Sequence, residues 1–180
     1  CPNDIGCAPQ IKGKIEHFIS RKAMDIDGIG EEIVSQLFGA GLIKDIADLY
    51  SLKYQDLIIM DRFAEKSSLR LLDGIETSKN IPFERVLFGL GIRYVGATVA
   101  KILAFHFINI RAICNANMET LMEVEEIGKR IAESVITFFK NAANQELLDR
   151  LQKANLNFEI TENLALVSNK LVGLSFVVSG

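Results

Sequence analysis

Apolar positions along this chain recur at intervals of three and four residues, in short runs that each follow a tight turn. The clearest runs are Ile33-Leu37-Phe38, Leu69-Leu72-Ile75, Val99-Leu103-Phe107 and Ile131-Val135-Phe138-Phe139, and that spacing predicts amphipathic helices. The turns before them read Asp27-Gly28-Ile29-Gly30, Asp61-Arg62-Phe63-Ala64, Arg93-Tyr94-Val95-Gly96 and Glu125-Glu126-Ile127-Gly128. Their closing small residues, Gly30, Ala64, Gly96 and Gly128, lie 34, 32 and 32 residues apart. An apolar residue precedes each one, and Val34, Ser68, Ala100 or Ala132 stands four positions after it. A period of this length marks a repeated supersecondary unit. Here the unit is a turn feeding a helix, four times over.

The rest of the pattern predicts a mainly α chain. Pro9 suits the first turn of a helix reaching about Lys22, with Ile11, Ile15, Phe18 and Ile19 on one face. A second helix covers Glu31 to Phe38 and is stopped by Gly39 and Gly41. Two short helices span Asp45 to Tyr50 and Tyr54 to Ile58, and a longer one runs through Ser78. Pro82 opens a helix that buries Phe83, Val86, Leu87 and Leu90. Asn117 is the expected N-cap of a further helix; the helix after the fourth turn reaches about Asn141, and a last one covers Asn144 to Ala154. Asn157 to Ile160 reads as a short strand, and Thr161 to Asn169 as a polar linker. Leu171 to Val178 is a β-rich run with no strand after it, and a lone strand needs edge partners. It is read as the first strand of a further, truncated domain rather than a terminal strand of this one. The chain also opens on Cys1 instead of Met, and is read as a piece of something longer.

What the turns can do follows from their backbone. Glycine permits positive φ and close approach by another molecule. The first N–H groups of the following helix lack intrahelical partners and lie at the positive end of its dipole. A turn that aims such amides outward is an anion site, and several on one rigid body would hold several phosphates of a polymer. The alternative is that the glycines simply let two helices cross closely. On the first reading the candidate binding residues are Gly28, Gly30, Gly96 and Gly128, with Arg93, Thr98, Lys129 and Arg130 beside them. Lys129 and Arg130 occupy the first turn of a helix, where cations oppose the dipole unless an anion binds there. The second turn, Arg62-Phe63-Ala64, lacks both glycines and is read as a structural copy kept for packing.

Charge narrows this picture. With 20 basic and 23 acidic residues, net −3 and a pI near 5.5, the 180-residue chain lacks the global positive field of many nucleic-acid binders. Nucleic-acid contact must rest on local amides and a few cations. A hydrophobic content of 49% is ample for a core. No apolar run approaches the length of a membrane span and no signal peptide is seen, so the chain is read as soluble and intracellular. Cys1 and Cys7 are separated by five residues and form one pair where a structural zinc site takes four ligands. They are read as the second half of a zinc module whose first half lies upstream. A disulfide is the alternative, which an intracellular compartment disfavours. Cys114, in an apolar stretch, is expected to be a buried core thiol. His17 and His106 fall within helical patterns and are read as packed or solvated.

Taken together these turns resemble helix–hairpin–helix motifs, whose pattern is apolar-x-Gly-apolar-Gly with a small residue four on. Ile26-Asp27-Gly28-Ile29-Gly30 fits it fully; the third and fourth copies keep the closing apolar–Gly pair. Four in tandem, after a Cys-x5-Cys pair and Ser20-Arg21-Lys22-Ala23-Met24-Asp25-Ile26, are similar to one family, the bacterial NAD-dependent DNA ligases. Arg62-Phe63-Ala64-Glu65-Lys66-Ser67-Ser68 and Gly91-Ile92-Arg93-Tyr94-Val95-Gly96 fit it too, and Leu171 to Gly180 resembles the first strand of that family's BRCT domain. The resemblance implies half a zinc module at residues 1–9, a helix–hairpin–helix domain at 10–156, a linker at 157–170 and the start of a BRCT domain at 171–180. It implies a whole enzyme, bacterial, cytoplasmic and nucleoid-associated, that seals nicks in duplex DNA with NAD, Mg²⁺ and Zn²⁺. The adenylation domain and OB-fold would lie upstream of Cys1. This chain would then be a non-catalytic DNA clamp, with no catalytic residue, no small-molecule substrate, no membrane contact and no cofactor of its own bound. Its alternatives are a helical protein-interaction module and another helix–hairpin–helix repair protein. A glycosylase of that fold would need a catalytic Asp or Lys just after one hairpin, a pattern not seen after Gly30, Gly96 or Gly128.

Overall fold

The computed structural model describes residues 7–161. Among them ten helices follow one another: α1 (Ala8–Ile19), α2 (Glu31–Gly39), α3 (Tyr54–Ile58), α4 (Glu65–Ser78) and α5 (Phe83–Gly89), then α6 (Ala97–Phe107), α7 (Ile110–Asn115), α8 (Met118–Met122), α9 (Lys129–Lys140) and α10 (Ala142–Lys153). A 3-10 turn at Asp48–Ser51 precedes α3. The mainly α fold with four hairpins is therefore what the periodicity predicted. Helices α1 and α2, α3 and α4, α5 and α6, and α8 and α9 pack on each other across the four turns. Each turn is a hairpin between two packed helices.

All four hairpins share one backbone device. The residue two before the closing position has left-handed φ in every copy: Gly28 at +81°, Arg62 at +67°, Tyr94 at +65° and Glu126 at +70°. In the last three an amide then closes a tight turn, Phe63 N–H to Met60 O, Val95 N–H to Ile92 O and Ile127 N–H to Val124 O. The left-handed conformation costs a non-glycine residue about 1–2 kcal/mol. Three hairpins carry that strain, so neighbouring packing must hold the turn in place. Val34, Ser68, Ala100 and Ala132 are all fully buried, which explains their modest size at the same position after each hairpin.

The core is continuous. Ile15 and Phe18 of α1 join Met24, Leu37, Leu71, Phe83 and Leu87, and then Leu103, Ile113 and Leu151, all fully buried or nearly so. Arg150 of α10 reaches back across the chain, with Nη1 2.6 Å from Asp45 Oδ2 and Nη2 2.6 Å from Asp48 Oδ1. Those carboxylates also accept backbone amides of their own loop, Asp48 from Lys44 and Asp45 from Ala47. The last helix is thereby tied to the segment between α2 and α3.

Several sequence expectations shift. α1 stops at Ile19 because Ser20 Oγ donates to the His17 carbonyl and the chain folds back, with Met24 N–H on Phe18 O. α7 was not anticipated; its apolar run is too short to show a period, but Asn109 caps it by accepting from Ala112 N–H. That helix corrects the expectation for Cys114. Ile110 and Ile113 take its inward face, and Cys114 is exposed, its thiol pKa raised by partial desolvation. Instead of a strand, residues 157–160 form a single antiparallel bridge between Asn109 and Glu159. Phe158 and Ile160 are buried and Asn157 Nδ2 donates to Ile81 O, so this stretch is packed rather than free linker. Cys1, the rest of the expected linker and the expected BRCT strand lie outside the described residues.

Ser68 Oγ is fully buried and has no hydrogen-bond partner among the described residues, whereas Ala100 and Ala132 hold the equivalent sites. Ser68→Ala should therefore stabilise the fold by about 1 kcal/mol, a rise of roughly 2–4 °C in melting midpoint. Tyr50 is half-buried, hydrogen-bonded at 2.9 Å to Ser78 Oγ, and burial pushes its pKa up to about 12. Its folded pKa exceeds the unfolded value near 10, so the unfolded chain loses this proton first. Stability should be unaffected below about pH 10 and fall by roughly 2 kcal/mol toward pH 12. Urea titrations across that window should show the fall, and Tyr50→Phe should remove this component.

Candidate nucleic-acid interface

The hairpins associate in two pairs. In the first pair, Asp27 of hairpin one accepts a two-pronged bond from Arg70 of α4, at 2.7 and 3.0 Å. The guanidinium holds the Asp27 carboxyl below its usual range. A Cβ on Gly28 would lie 3.1 Å from the Leu71 backbone, so this left-handed glycine also permits close packing on α4. Arg62 of hairpin two returns an ion pair to Glu32 in the first turn of α2.

The second pair repeats the arrangement with other chemistry. Arg93 stands three residues before Gly96, as Asp27 does before Gly30; Ser134 stands six after Gly128, as Arg70 does after Ala64. Here Ser134 Oγ donates to the Arg93 carbonyl at 2.7 Å, which leaves the Arg93 guanidinium free of it. Arg93 and Arg130 both lie over the Tyr94 ring, 4.9 and 4.8 Å from its centroid. Hairpins three and four thus share one exposed cationic face.

The turn amides differ between copies. The N–H groups of Gly30, Gly96 and Gly128, and of the two residues after each, donate to no acceptor among the described residues. In hairpin two the Ala64 amide is already held by Ser67 Oγ at 2.9 Å. That copy is closed by its own serine, in keeping with a packing role. Gly30, Gly96 and Gly128 are exposed, and nothing lies within 4 Å of where a Cβ would be. Their φ values of −138°, −78° and −83° suit any residue. Neither backbone nor packing requires glycine there, and Ala64 shows that the fold accepts a methyl.

Electrostatics separates the pairs further. The first turn of α2 carries Glu31 and Glu32 and that of α4 carries Glu65, whereas those of α6 and α9 carry no acid. Thr98 is exposed in the first turn of α6, and Lys129 and Arg130 in that of α9. Lys129 has only a long 3.9 Å contact with Glu133. Of the residues singled out from sequence, Gly96, Arg93, Thr98, Gly128, Lys129 and Arg130 fall on the second pair, and Gly28 and Gly30 on the first. Tyr94 was missed; its one sequence signal is a large ring where hairpin one has Gly28. Cys7 is half-exposed beside α1 and offers a single thiol, and no cluster of metal-binding side chains occurs among the described residues. No helix among them is long and apolar enough to cross a membrane.

The fold is a run of helix–hairpin–helix turns, and a family described as a helix–hairpin–helix motif matches residues 85–157, which hold the second pair. Over its full length the chain is also homologous to a segment of proteins named DNA ligase. Those of Flavobacterium psychrophilum, Cytophaga hutchinsonii and Azobacteroides pseudotrichonymphae are 55%, 53% and 46% identical to it over 181, 182 and 180 residues. Each match covers 100% of this chain and 27% of the relative. The chain spans about a quarter of the length of the curated relatives it matches.

Proposed function

We propose that this chain is the part of an NAD-dependent DNA ligase that grips nicked duplex DNA by its phosphate backbone. The observation that carries the reading is the pair of exposed glycines, Gly96 and Gly128, at positions where the fold itself needs no glycine. A missing side chain beside free helix-first amides favours something that approaches the backbone from outside. The amides point to an anion, and Arg93, Lys129 and Arg130 to a repeated one. Such contacts fix the position of a protein on a duplex without reading its sequence. In the whole ligase, bacterial and acting in the cytoplasm on the nucleoid, NAD would supply the AMP that activates the 5′-phosphate and Mg²⁺ would assist transfer. A zinc module would include Cys1 and Cys7. None of the residues described here is assigned to those chemical steps.

The test is binding of the chain to a nicked duplex at several salt concentrations, beside a Gly30→Asp/Gly128→Asp variant. Contact with several phosphates makes affinity fall steeply with salt. The variant should lose binding while its circular dichroism stays that of the parent. Equal binding by both, or binding indifferent to salt, would overturn the reading.

A further inference from the structure

We infer that Tyr94 is a positioning residue for the DNA contact: its ring holds the Arg93 and Arg130 guanidiniums ready for the phosphate backbone across hairpins three and four. The inference deepens the proposed function and rests on it. Tyr94 occupies a left-handed backbone position, φ +65°, where hairpin one has glycine. The residue is 42% exposed, so its ring lies partly at the surface. What the ring does contact is cations. Arg93 lies 4.9 Å and Arg130 4.8 Å from its centroid, the first from its own hairpin and the second from the helix of the next.

Neither guanidinium has a carboxylate partner among the described residues, unlike Arg62, Arg70 and Arg150. Two like charges gathered on one ring repel each other when no anion is present. They gain from a polyanion, and the cation–π contacts limit the rotamer freedom that binding would otherwise remove. The first pair shows the contrast. There Gly28 carries no ring, and the arginines around it are neutralised by Asp27 and Glu32. That pair is wired internally, whereas the second presents its cations outward.

The test compares the parent chain with Tyr94→Phe, Tyr94→Gly, Arg130→Ala and Tyr94→Gly/Arg130→Ala on a nicked duplex, measuring affinity and its salt dependence. Tyr94→Gly should bind roughly tenfold more weakly, with a log–log salt slope reduced by about one. Its melting midpoint should hold within about 3 °C, since glycine accepts the left-handed backbone. Phe, which keeps the ring face, should restore parental binding. The double variant should lose clearly less than the two single losses combined, because part of the ring's effect acts through Arg130 and only the part through Arg93 remains. Losses that add in full, or Tyr94→Gly binding like the parent while Gly128→Asp fails to bind, would overturn the role of Tyr94 alone. If Gly128→Asp also binds like the parent, the DNA reading falls with it.

Discussion

Gly128→Asp should bind nicked duplex some 30- to 100-fold more weakly than the parent chain and melt no lower. The substitution is mild for the fold. Gly128 sits at φ −83°, ψ 171° with open space where a side chain would grow. It is the N-cap of α9, a position where Asp is preferred over Gly, so the new carboxylate can cap the helix itself. Binding suffers twice. The carboxylate occupies the free amides that would take a phosphate, forfeiting charge-assisted bonds worth about 1.5–3 kcal/mol. It also places a negative charge between Arg130 and Lys129 and any approaching phosphate. Gly96→Asp should behave alike. Gly30→Asp should cost less, about threefold, because Glu31 and Glu32 already oppose an anion at α2. Fluorescence anisotropy at two salt concentrations, with thermal melts, checks the ranking. Equal losses at Gly30 and Gly128 would remove the distinction between the pairs, and no loss at either would remove the interface.

Much of this was legible along the chain because the repeat is dictated by local rules. Small closing residues, an apolar residue before each and a buried residue four on are all short-range requirements, and they gave the four hairpins and their helices. The uniform left-handed position was hidden, since only Gly28 advertises it; Arg62, Tyr94 and Glu126 adopt it under tertiary constraint. The pairing of the hairpins was hidden for a different reason. Asp27–Arg70 and Ser134–Arg93 join residues 43 and 41 apart, and no local spacing encodes such a contact. From sequence, the turn with Gly28 and Gly30 is the one copy that completes the motif. In three dimensions the acids of α2 and the close approach of α4 make that pair the more inward-turned of the two. Cys114 misled in the same way, for an apolar neighbourhood in sequence says nothing about which face of a single-turn helix is covered.

Gly74→Ala should destabilise the fold by about 2 kcal/mol, although Gly→Ala inside a helix ordinarily stabilises. Two effects oppose each other at this site. Helix propensity and unfolded-state entropy favour Ala by roughly 1 kcal/mol. Against that, the new Cβ would lie 2.4 Å from the Asp27 carbonyl oxygen and 3.0 Å from its nitrogen. Both are backbone atoms, so no rotamer change relieves the overlap; hairpin one must lift off α4. Overpacking of this kind costs 1–3 kcal/mol or somewhat more. Displacement of the hairpin would also loosen the Asp27–Arg70 bonds and the packing of Gly28 on Leu71. The clash wins, and the melting midpoint should fall by roughly 4–8 °C. Gly13→Ala is the matched comparison. Gly13 is exposed in the middle of α1 with nothing within 4 Å of its Cβ position, so propensity acts unopposed and the midpoint should rise. DNA affinity measured well below the transition should stay within about threefold of the parent in Gly74→Ala, because the cationic pair does not touch this contact. A stabilised Gly74→Ala chain would mean that hairpin one does not rest on α4. A stable fold with lost DNA binding would mean that the first pair takes part in the grip.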